Sequence, residues 1–268
     1  MKHSSIIWMI CAALAGSVVC TGVLTPAGAG DWQGHKLPNI PTNFIVGFGS
    51  LINSGSRNST ASACIAIPVR VSASFGYVRS WNERREGFTA LGLRKATPGE
   101  SGVTINAVLY PAEGPDGSQF DKREEGYVKV EVPMSQIEAM GWQRLPETGH
   151  FWIYVPVRSV AQGGQGVPGE GLPEPDVEHP LLQSYIDVVI EGGLEYGEEF
   201  AREIVETTDG WSRFWLNDRE FARRPLSVLD PKAARVDDLL KRTLTAAQLS
   251  SRAFPEVYAE KLRAGAAK

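Results

Sequence analysis

Short apolar runs, several of them alternating with polar residues, dominate the chain between residues 44 and 157. Residues 128–132 read Val-Lys-Val-Glu-Val, so the valines share one face and the charges the other. This alternation is typical of a sheet with one solvent-exposed side. Runs rich in β-formers predict strands at 44–46, 65–70, 71–81 (with Pro68 as a break), 88–93, 103–110, 127–132 and 151–157. A short helix is predicted at 134–140.

The pattern changes after residue 160. Residues 161–180 contain five glycines and four prolines and hardly any aliphatic side chain, which predicts a long surface loop. A mobile lid and a plain linker are both consistent with this composition. Apolar residues then recur at helical spacing from 181 to 189, and Gly192-Gly193 is predicted to end or bend that helix. Further helices are predicted at 198–206, from Asp230-Pro231 to 240, and at 255–263.

The first 29 residues have the features of an export signal. Lys2 provides a weakly basic start, residues 6–24 are mostly apolar, and Ala-Gly-Ala at 27–29 fits a cleavage site. We therefore expect a mature protein that begins near Gly30 and is exported to the periplasm or secreted, with no membrane partner. An uncleaved membrane anchor is the alternative, because the apolar stretch approaches the length that spans a bilayer.

Charge and cysteine content narrow the function further. The formal charge of −4 becomes −5 without the signal, because Lys2 is its only formally charged residue. Such mild acidity argues against a nucleic-acid partner. Cys64 is the only thiol outside the signal, so no internal disulfide is possible, and its apolar neighbours favour a buried, unreactive role. The four histidines show no chelating spacing, so no metal is expected.

A glycine-bracketed turn, Gly-Phe-Gly-Ser-Leu at 47–51, follows the first predicted strand. It lacks the third glycine of a dinucleotide fingerprint, and strand follows strand where a nucleotide fold would alternate strands with helices. Nor does it fit a serine-hydrolase elbow, because Ser50 has no glycine two residues away on either side. What remains is a strand-end turn whose amide groups and Ser50 hydroxyl can bind a carboxylate.

Two motifs together resemble the γ-glutamylcyclotransferase-like superfamily over residues 44–208. Phe-Gly-Ser-Leu at 48–51 is similar to the family's Tyr-Gly-Ser-Leu turn, and Phe-Asp-Lys-Arg-Glu at 120–124 is similar to its Leu-Asp-x-x-Glu motif. Arg79 and the Tyr185 helix match two further segments. Phe48 replaces the family's tyrosine and therefore lacks a hydroxyl, which can alter substrate preference.

The resemblance implies a mixed α+β fold around a small, partly closed mixed β-barrel flanked by helices. It also implies an enzyme that needs no cofactor and closes the γ-glutamyl group of a small-molecule amine or peptide to 5-oxoproline. Glu124 would be the catalytic acid and base. The substrate-binding residues would be Phe48, Gly49, Ser50, Leu51, Arg79, Tyr127 and Tyr185.

For that role Glu124 needs a pKa raised towards neutral by burial or a nearby negative charge, with Asp121 one candidate for that charge. Lys122 and Arg123 would oppose the shift if they pointed inward, so we expect both to face solvent. The alternative interpretation is that Glu124 is an exposed acid at a helix start. Two other functions stay open: a carboxylate-binding protein without turnover, and a γ-glutamyl acyl transferase that forms no ring.

The predicted organisation has four parts: a signal (1–29), a short lead (30–43), the γ-glutamylcyclotransferase-like domain (44–208) and a C-terminal helical extension (209–268). The aromatic and arginine-rich segment 211–219 either packs in the interior, walls the site, stacks on a ligand or marks an interface.

Overall fold

The computed structural model describes residues 30–37, 39–60, 65–100, 102–112, 120–158, 166–221 and 231–266. The predicted signal, Cys64, Asp230 and the first part of the 161–180 loop lie outside these residues. Within them, no helix is both long enough and apolar enough to cross a membrane. Residues 166–180 form no helix or strand, in agreement with the predicted loop.

Strands dominate the first part of the chain and helices the last, which confirms the mixed α+β class. The strands are β1 (Gly30–Trp32), β2 (His35–Leu37), β3 (Asn43–Gly47), β4 (Ile67–Val71), β5 (Tyr77–Arg85), β6 (Phe88–Lys95), β7 (Ile105–Pro111), β8 (Tyr127–Glu131), β9 (Ile137–Ala139), β10 (His150–Pro156), β11 (Leu181–Leu182), β12 (Trp215–Leu216) and β13 (Arg252–Ala253). The helices are α1 (Ser54–Asn58), α2 (Gln183–Leu194), α3 (Glu198–Glu206), α4 (Pro231–Thr243), α5 (Ala246–Ser250) and α6 (Pro255–Ala266).

Six strands form the central sheet in the order β8-β10-β3-β7-β4-β9. β3 and β10 run parallel, and the other neighbours are antiparallel. The strands β8 and β9 are the two edges and do not pair with each other, so the sheet is open in the described part of the chain and the predicted barrel is not confirmed. Apolar residues of the inner strands, including Ile45, Leu109 and Ile153, are fully buried in one core, whereas those of the edge strand β8 are half-buried.

A long hairpin of β5 and β6 forms a separate two-stranded sheet. A register shift between Trp81 and Glu83 interrupts its pairing. Such a bulge bends a strand and re-aims the side chains that follow it. The hairpin ends beside α2, where Phe88 and Trp81 both pack against the ring of Tyr185.

Two sequence-based predictions in the sheet region are wrong. Pro68 does not break a strand, because it lies inside β4. The pairing of β4 with β9 begins at the next residue, Val69, so the ladder does not need an N–H from Pro68 on that side. Residues 134–140 form a short 3-10 turn and then β9 instead of a helix. Pairing of β9 with β4 outweighs the weak local preference for helix.

The glycine pair predicted to end or bend the first long helix lies inside α2, near its end at Leu194. A Cβ on Gly192 would lie 2.4 Å from the backbone nitrogen of Asn53, and one on Gly193 would lie 2.7 Å from Ile204 Cδ1. The glycines therefore allow α2 to pack closely against the 49–53 turn and α3. Their role is close approach and not helix termination.

The aromatic segment 211–219 packs partly in the interior, as one of the interpretations predicted, with Arg213 exposed. Trp215 is fully buried in β12, and Trp211 packs against both Trp81 and Trp215. Just beyond them, Arg219 is buried and joins Asp187 of α2 to Asp237 of α4. These contacts attach the C-terminal helices to the rest of the chain.

Candidate active site

A cavity of about 220 Å³ opens where β3 ends. Four parts of the chain enclose it: the turn after β3, the β5–β6 hairpin, the turn before β8 with β10, and α2. The lining residues are Val46, Gly47, Phe48, Gly49, Ser50, Leu51, Arg85, Phe88, Ala90, Leu91, Arg123, Glu124, Tyr127, Tyr154 and Tyr185. Seven of the eight site residues predicted from the sequence line the cavity, and Arg79 is the exception.

Hydrogen bonds fix the shape of the turn after β3. The chain turns at Gly49, whose carbonyl accepts a 3.0 Å hydrogen bond from the Ile52 amide. Arg57 is buried beneath the turn and donates from Nη1 to the carbonyl oxygens of Leu51 and Ile52, both at 2.9 Å. Because these carbonyls are occupied by Arg57, the turn has a fixed shape in which the Ser50 side chain lines the cavity.

We expect Gly47→Ala to destabilise the protein by about 1–3 kcal/mol. A Cβ at this position would lie 2.8 Å from Leu51 Cβ and 3.3 Å from the Tyr110 ring, so the turn would have to move. Urea unfolding measures the loss. Gly55→Ala, on the exposed side of α1, is the control, because its Cβ meets only the Asn53 amide oxygen at 3.3 Å; equal midpoints for the two variants would contradict the tight packing.

Glu124 lies in the turn that precedes β8. Its amide donates to the carbonyl of Phe120, a fully buried residue that anchors the turn in the core. The Glu124 side chain is only 12% exposed. Burial raises the pKa of Glu124, and the positive charges of Arg123 and Arg85 oppose that rise. The direction of the shift agrees with the prediction.

The predicted role of Asp121 in that shift is wrong. Burial, and not a neighbouring acid, raises the pKa of Glu124. Asp121 instead accepts a 2.8 Å hydrogen bond from the Tyr154 hydroxyl and forms an ion pair with Lys129.

Arg123 does not face solvent, contrary to the prediction, whereas Lys122 does. Its Nη2 donates to the hydroxyl oxygens of Ser50 (3.1 Å) and Ser56 (2.8 Å), and its Nη1 to the Ser56 carbonyl and the Thr60 hydroxyl. Its Nε lies 3.5 Å from Glu124 Oε1. Arg123 therefore connects the serine-bearing turn directly to the candidate acid. Its acceptors lie more than 60 residues away in sequence, so local spacing contained no signal for this contact.

Phenol side chains form much of the remaining wall. The Tyr185 hydroxyl lies beside the Ser50 side chain and the Leu91 backbone, and the Tyr127 hydroxyl donates to the Leu91 carbonyl at 2.8 Å. Burial raises the pKa of both phenols, so both are neutral at physiological pH. Tyr154 was missed by the sequence analysis because nothing in its strand distinguishes it from a core residue. Phe48, in the family's tyrosine position, is buried at the cavity wall.

Arg79 lies behind the turn and outside the cavity lining, so it is not in a position to contact a ligand. Its fully buried guanidinium donates to the Phe48 carbonyl (3.4 Å), to Asn106 and to the Thr207 hydroxyl. Burial lowers the pKa of Arg79 to about 9, which still leaves it cationic at neutral pH. The structure gives Arg79 a positioning role: it holds the backbone of the turn against the sheet.

The hairpin contributes a charged pair that the sequence analysis missed. Arg85, the last residue of β5, lines the cavity with its guanidinium 5.0 Å from the Tyr127 ring centroid. Its Nε lies 3.6 Å from Oε1 of Glu83, which is 8% exposed. Burial raises the pKa of Glu83 to about 7. Both residues follow the register shift after Trp81, and such a bulge is not visible in the sequence pattern.

No group of three or more histidine, cysteine, aspartate or glutamate side chains in the described part of the chain is arranged to hold a metal ion. The polar groups that line the cavity are instead arginine, glutamate, serine and tyrosine. This set can bind carboxylates and exchange a proton.

Comparison with known proteins gives weak similarities only. No family model matches the chain, and no curated protein matches it. Similar solved structures include YkqA from Bacillus subtilis, at 16% identity and a TM-score of 0.37, where the match covers 62% of this chain and 55% of that one. A γ-glutamyl cyclotransferase matches at 11% identity and a TM-score of 0.37, covering 74% of this chain and 98% of that one. A glutathione-specific γ-glutamyl cyclotransferase from yeast matches at 12% identity and a TM-score of 0.30, covering 78% and 94%.

At these identities and TM-scores the resemblance to γ-glutamyl cyclotransferase structures carries no argument about function. The 55% coverage also means that this chain spans about half the length of YkqA. The functional conclusion therefore depends on the geometry of the cavity.

Proposed function

We propose that the protein is a γ-glutamylcyclotransferase-like enzyme that converts the γ-glutamyl group of an amine or peptide to 5-oxoproline and releases the amine. One observation carries this proposal: Glu124 and the Ser50 turn, distant in sequence, line the same cavity and are joined through Arg123. In this arrangement the polar turn can bind the ligand's carboxylate while the buried carboxyl of Glu124 transfers protons to and from the reacting atoms.

The proposed reaction is an intramolecular aminolysis. The α-amine nitrogen attacks the γ-carbonyl carbon, a new C–N bond closes the five-membered ring, and the original γ-amide C–N bond breaks. Glu124 takes a proton from the attacking amine and returns one to the leaving amine, so the carboxyl is unchanged at the end and no water is consumed. Because the nucleophile is tethered to its target, the enzyme mainly orients the substrate and moves protons.

The turn supplies the proposed binding site for the substrate's α-carboxylate. The amides of Gly49, Ser50 and Leu51 and the Ser50 hydroxyl would hold it, while the rings of Tyr127 and Tyr185 would enclose the glutamyl chain. Arg123 holds Ser50 beside Glu124 and thereby fixes the distance between carboxylate site and base. The fixed turn and the neutral phenols keep this site in shape before the substrate arrives.

The pH dependence of activity provides one prediction. Glu124 accepts a proton only when ionised, so kcat/KM should fall as the pH drops through the Glu124 pKa. Because burial raises that pKa above the ordinary value of 4.5, the acid limb should have its midpoint above 4.5. Initial rates at constant ionic strength measure it. A profile that is flat down to pH 4.5 would remove Glu124 from the role of base.

The proposal is tested by incubating the protein with γ-glutamyl amines, γ-glutamyl peptides and glutathione, and by following 5-oxoproline with mass spectrometry. We expect lactam and free amine in equal amounts. Binding without product would favour the non-catalytic carboxylate-binding protein, and glutamate without lactam would favour the acyl transferase. Export of the mature chain remains a prediction.

A further inference from the structure

The cavity contains two arginines whose guanidinium groups are used differently. Arg123 commits both Nη atoms to four oxygen acceptors of the protein, and its Nε faces Glu124. It is a structural connector. Arg85 lies on the hairpin wall, and its Nη1 donates to one backbone carbonyl, that of Glu125, at 2.8 Å. The Arg85 side chain is 29% exposed, so a ligand in the cavity can reach it.

The two groups that hold Arg85 in place carry no negative charge. The Tyr127 ring supports the guanidinium from one side, and the Glu125 carbonyl fixes one end. The acidic groups that act on it are Glu83, with the closest atoms 3.6 Å apart, and Glu124. Burial raises the pKa of Glu83 to about 7, so around neutral pH this carboxyl is only partly ionised. Arg85 is therefore a cationic group on the cavity wall that no fully ionised carboxylate of the hairpin neutralises, and its exposed part can contact a ligand.

The proposed reaction leaves one end of the substrate without an assigned contact. The γ-glutamyl α-carboxylate is assigned to the turn, which Arg123 joins to Glu124. The amine that departs must extend from Glu124 towards a different wall, and the charged group on the hairpin wall is Arg85. A guanidinium recognises a carboxylate through parallel N–H donors.

We propose that Arg85 selects substrates whose leaving amine carries a carboxylate, and so directs the enzyme to γ-glutamyl amino acids or short peptides instead of neutral or cationic amines. This inference depends on the proposed function.

Three matched compounds test the selection: γ-glutamyl-glycine, γ-glutamyl-glycinamide, and the γ-glutamyl amide of aminomethylphosphonate. The first two have nearly the same shape and differ in charge. We expect kcat/KM for the acid to exceed that for the amide by roughly 10- to 100-fold, the size of a hydrogen-bonded charge contact. In Arg85→Gln this ratio should fall to near one, and Arg85→Lys should restore part of it.

Arg84→Gln is the matched control, because Arg84 is the adjacent arginine but pairs with Asp176 outside the cavity, and it should leave the ratio unchanged. Turnover of all three compounds without preference for the acid, or a ratio that survives Arg85→Gln, would overturn the inference but not the cyclotransferase. A phosphonate turned over as well as the acid would overturn the choice of carboxylate.

Absence of 5-oxoproline from every compound would instead contradict the proposed function. Calorimetric titration with the acid and the amide then decides the role of Arg85 independently. Tighter binding of the acid that is lost in Arg85→Gln would support the carboxylate contact, and equal binding of the two compounds would overturn it.

Discussion

Replacing Glu124 with glutamine is expected to lower 5-oxoproline formation by roughly 100- to 10,000-fold, the contribution of a positioned general acid and base. Glutamine keeps the shape and the polarity of the side chain but can neither accept nor return the proton. The glutamyl carboxylate contacts at the turn do not involve Glu124, so substrate binding should survive. Initial rates and calorimetric affinity, measured on the same preparation, separate the two effects.

Glu125→Gln is the matched control, since it makes the same chemical change one residue along on an exposed side chain that does not line the cavity. Activity in Glu124→Gln within threefold of the unmodified protein would contradict the proposed role.

Measuring the free energy of unfolding distinguishes this loss of activity from a loss of folding. Because burial raises the pKa of Glu124, its ionised form costs folding free energy at pH values above its folded pKa, and this cost disappears below its unfolded pKa. Glutamine removes the cost. Glu124→Gln should therefore be at least as resistant to urea at neutral pH as the unmodified protein while being nearly inactive.

The second large effect is structural. Arg219→Met is expected to lower the free energy of unfolding by about 3–5 kcal/mol, because it leaves a buried carboxylate without its partner. Arg219 is 4% exposed at its side chain, donates to both oxygens of Asp187, and also pairs with Asp237. Urea unfolding at neutral pH measures the loss. Arg242→Met, which breaks only exposed pairs with Glu198 and Asp238, should leave the free energy of unfolding almost unchanged.

The pH dependence of that loss follows from Asp187. Burial already raises the pKa of Asp187, and the Arg219 charge opposes the rise. Without Arg219 the pKa rises further, so the penalty is absent below the unfolded value of 3.8, where Asp187 is protonated, and grows as the pH rises above it. A loss equal to that of Arg242→Met at neutral pH would mean that the buried pairs contribute no more than surface pairs.

Sequence reasoning located most strands because their signal is local: alternation in β8 and apolar runs in β3 and β10 are visible within a few residues. The helix predicted at 134–140 failed because pairing with β4 decides that segment, and pairing partners are not visible in a single sequence. The open sheet edge was missed for a related reason. The barrel was implied by resemblance, while closure depends on contacts between β8 and β9, which are distant in sequence.

The candidate site also has one part that local motifs predict and another that depends on long-range contacts. The Ser50 turn and Glu124 carry short motifs, so the sequence could nominate them. The orientation of Arg123 was predicted wrongly and Arg85 was missed, because their roles arise from long-range contacts with Ser50 and Tyr127 and from a bulge in β5. Arg123 was expected to face solvent because its charge opposes the raised pKa of Glu124; it lies inward because a buried arginine is stable where oxygen acceptors surround it.

Isotope incorporation tests the central claim, ring closure by the substrate's own amine, most directly. The protein is incubated with a γ-glutamyl peptide in water labelled with heavy oxygen, and the products are weighed by mass spectrometry. Intramolecular aminolysis consumes no water, so the account predicts unlabelled 5-oxoproline that appears with the free amine. Labelled glutamate, or 5-oxoproline that carries the label, would show that water opens the γ-amide first and would contradict the account.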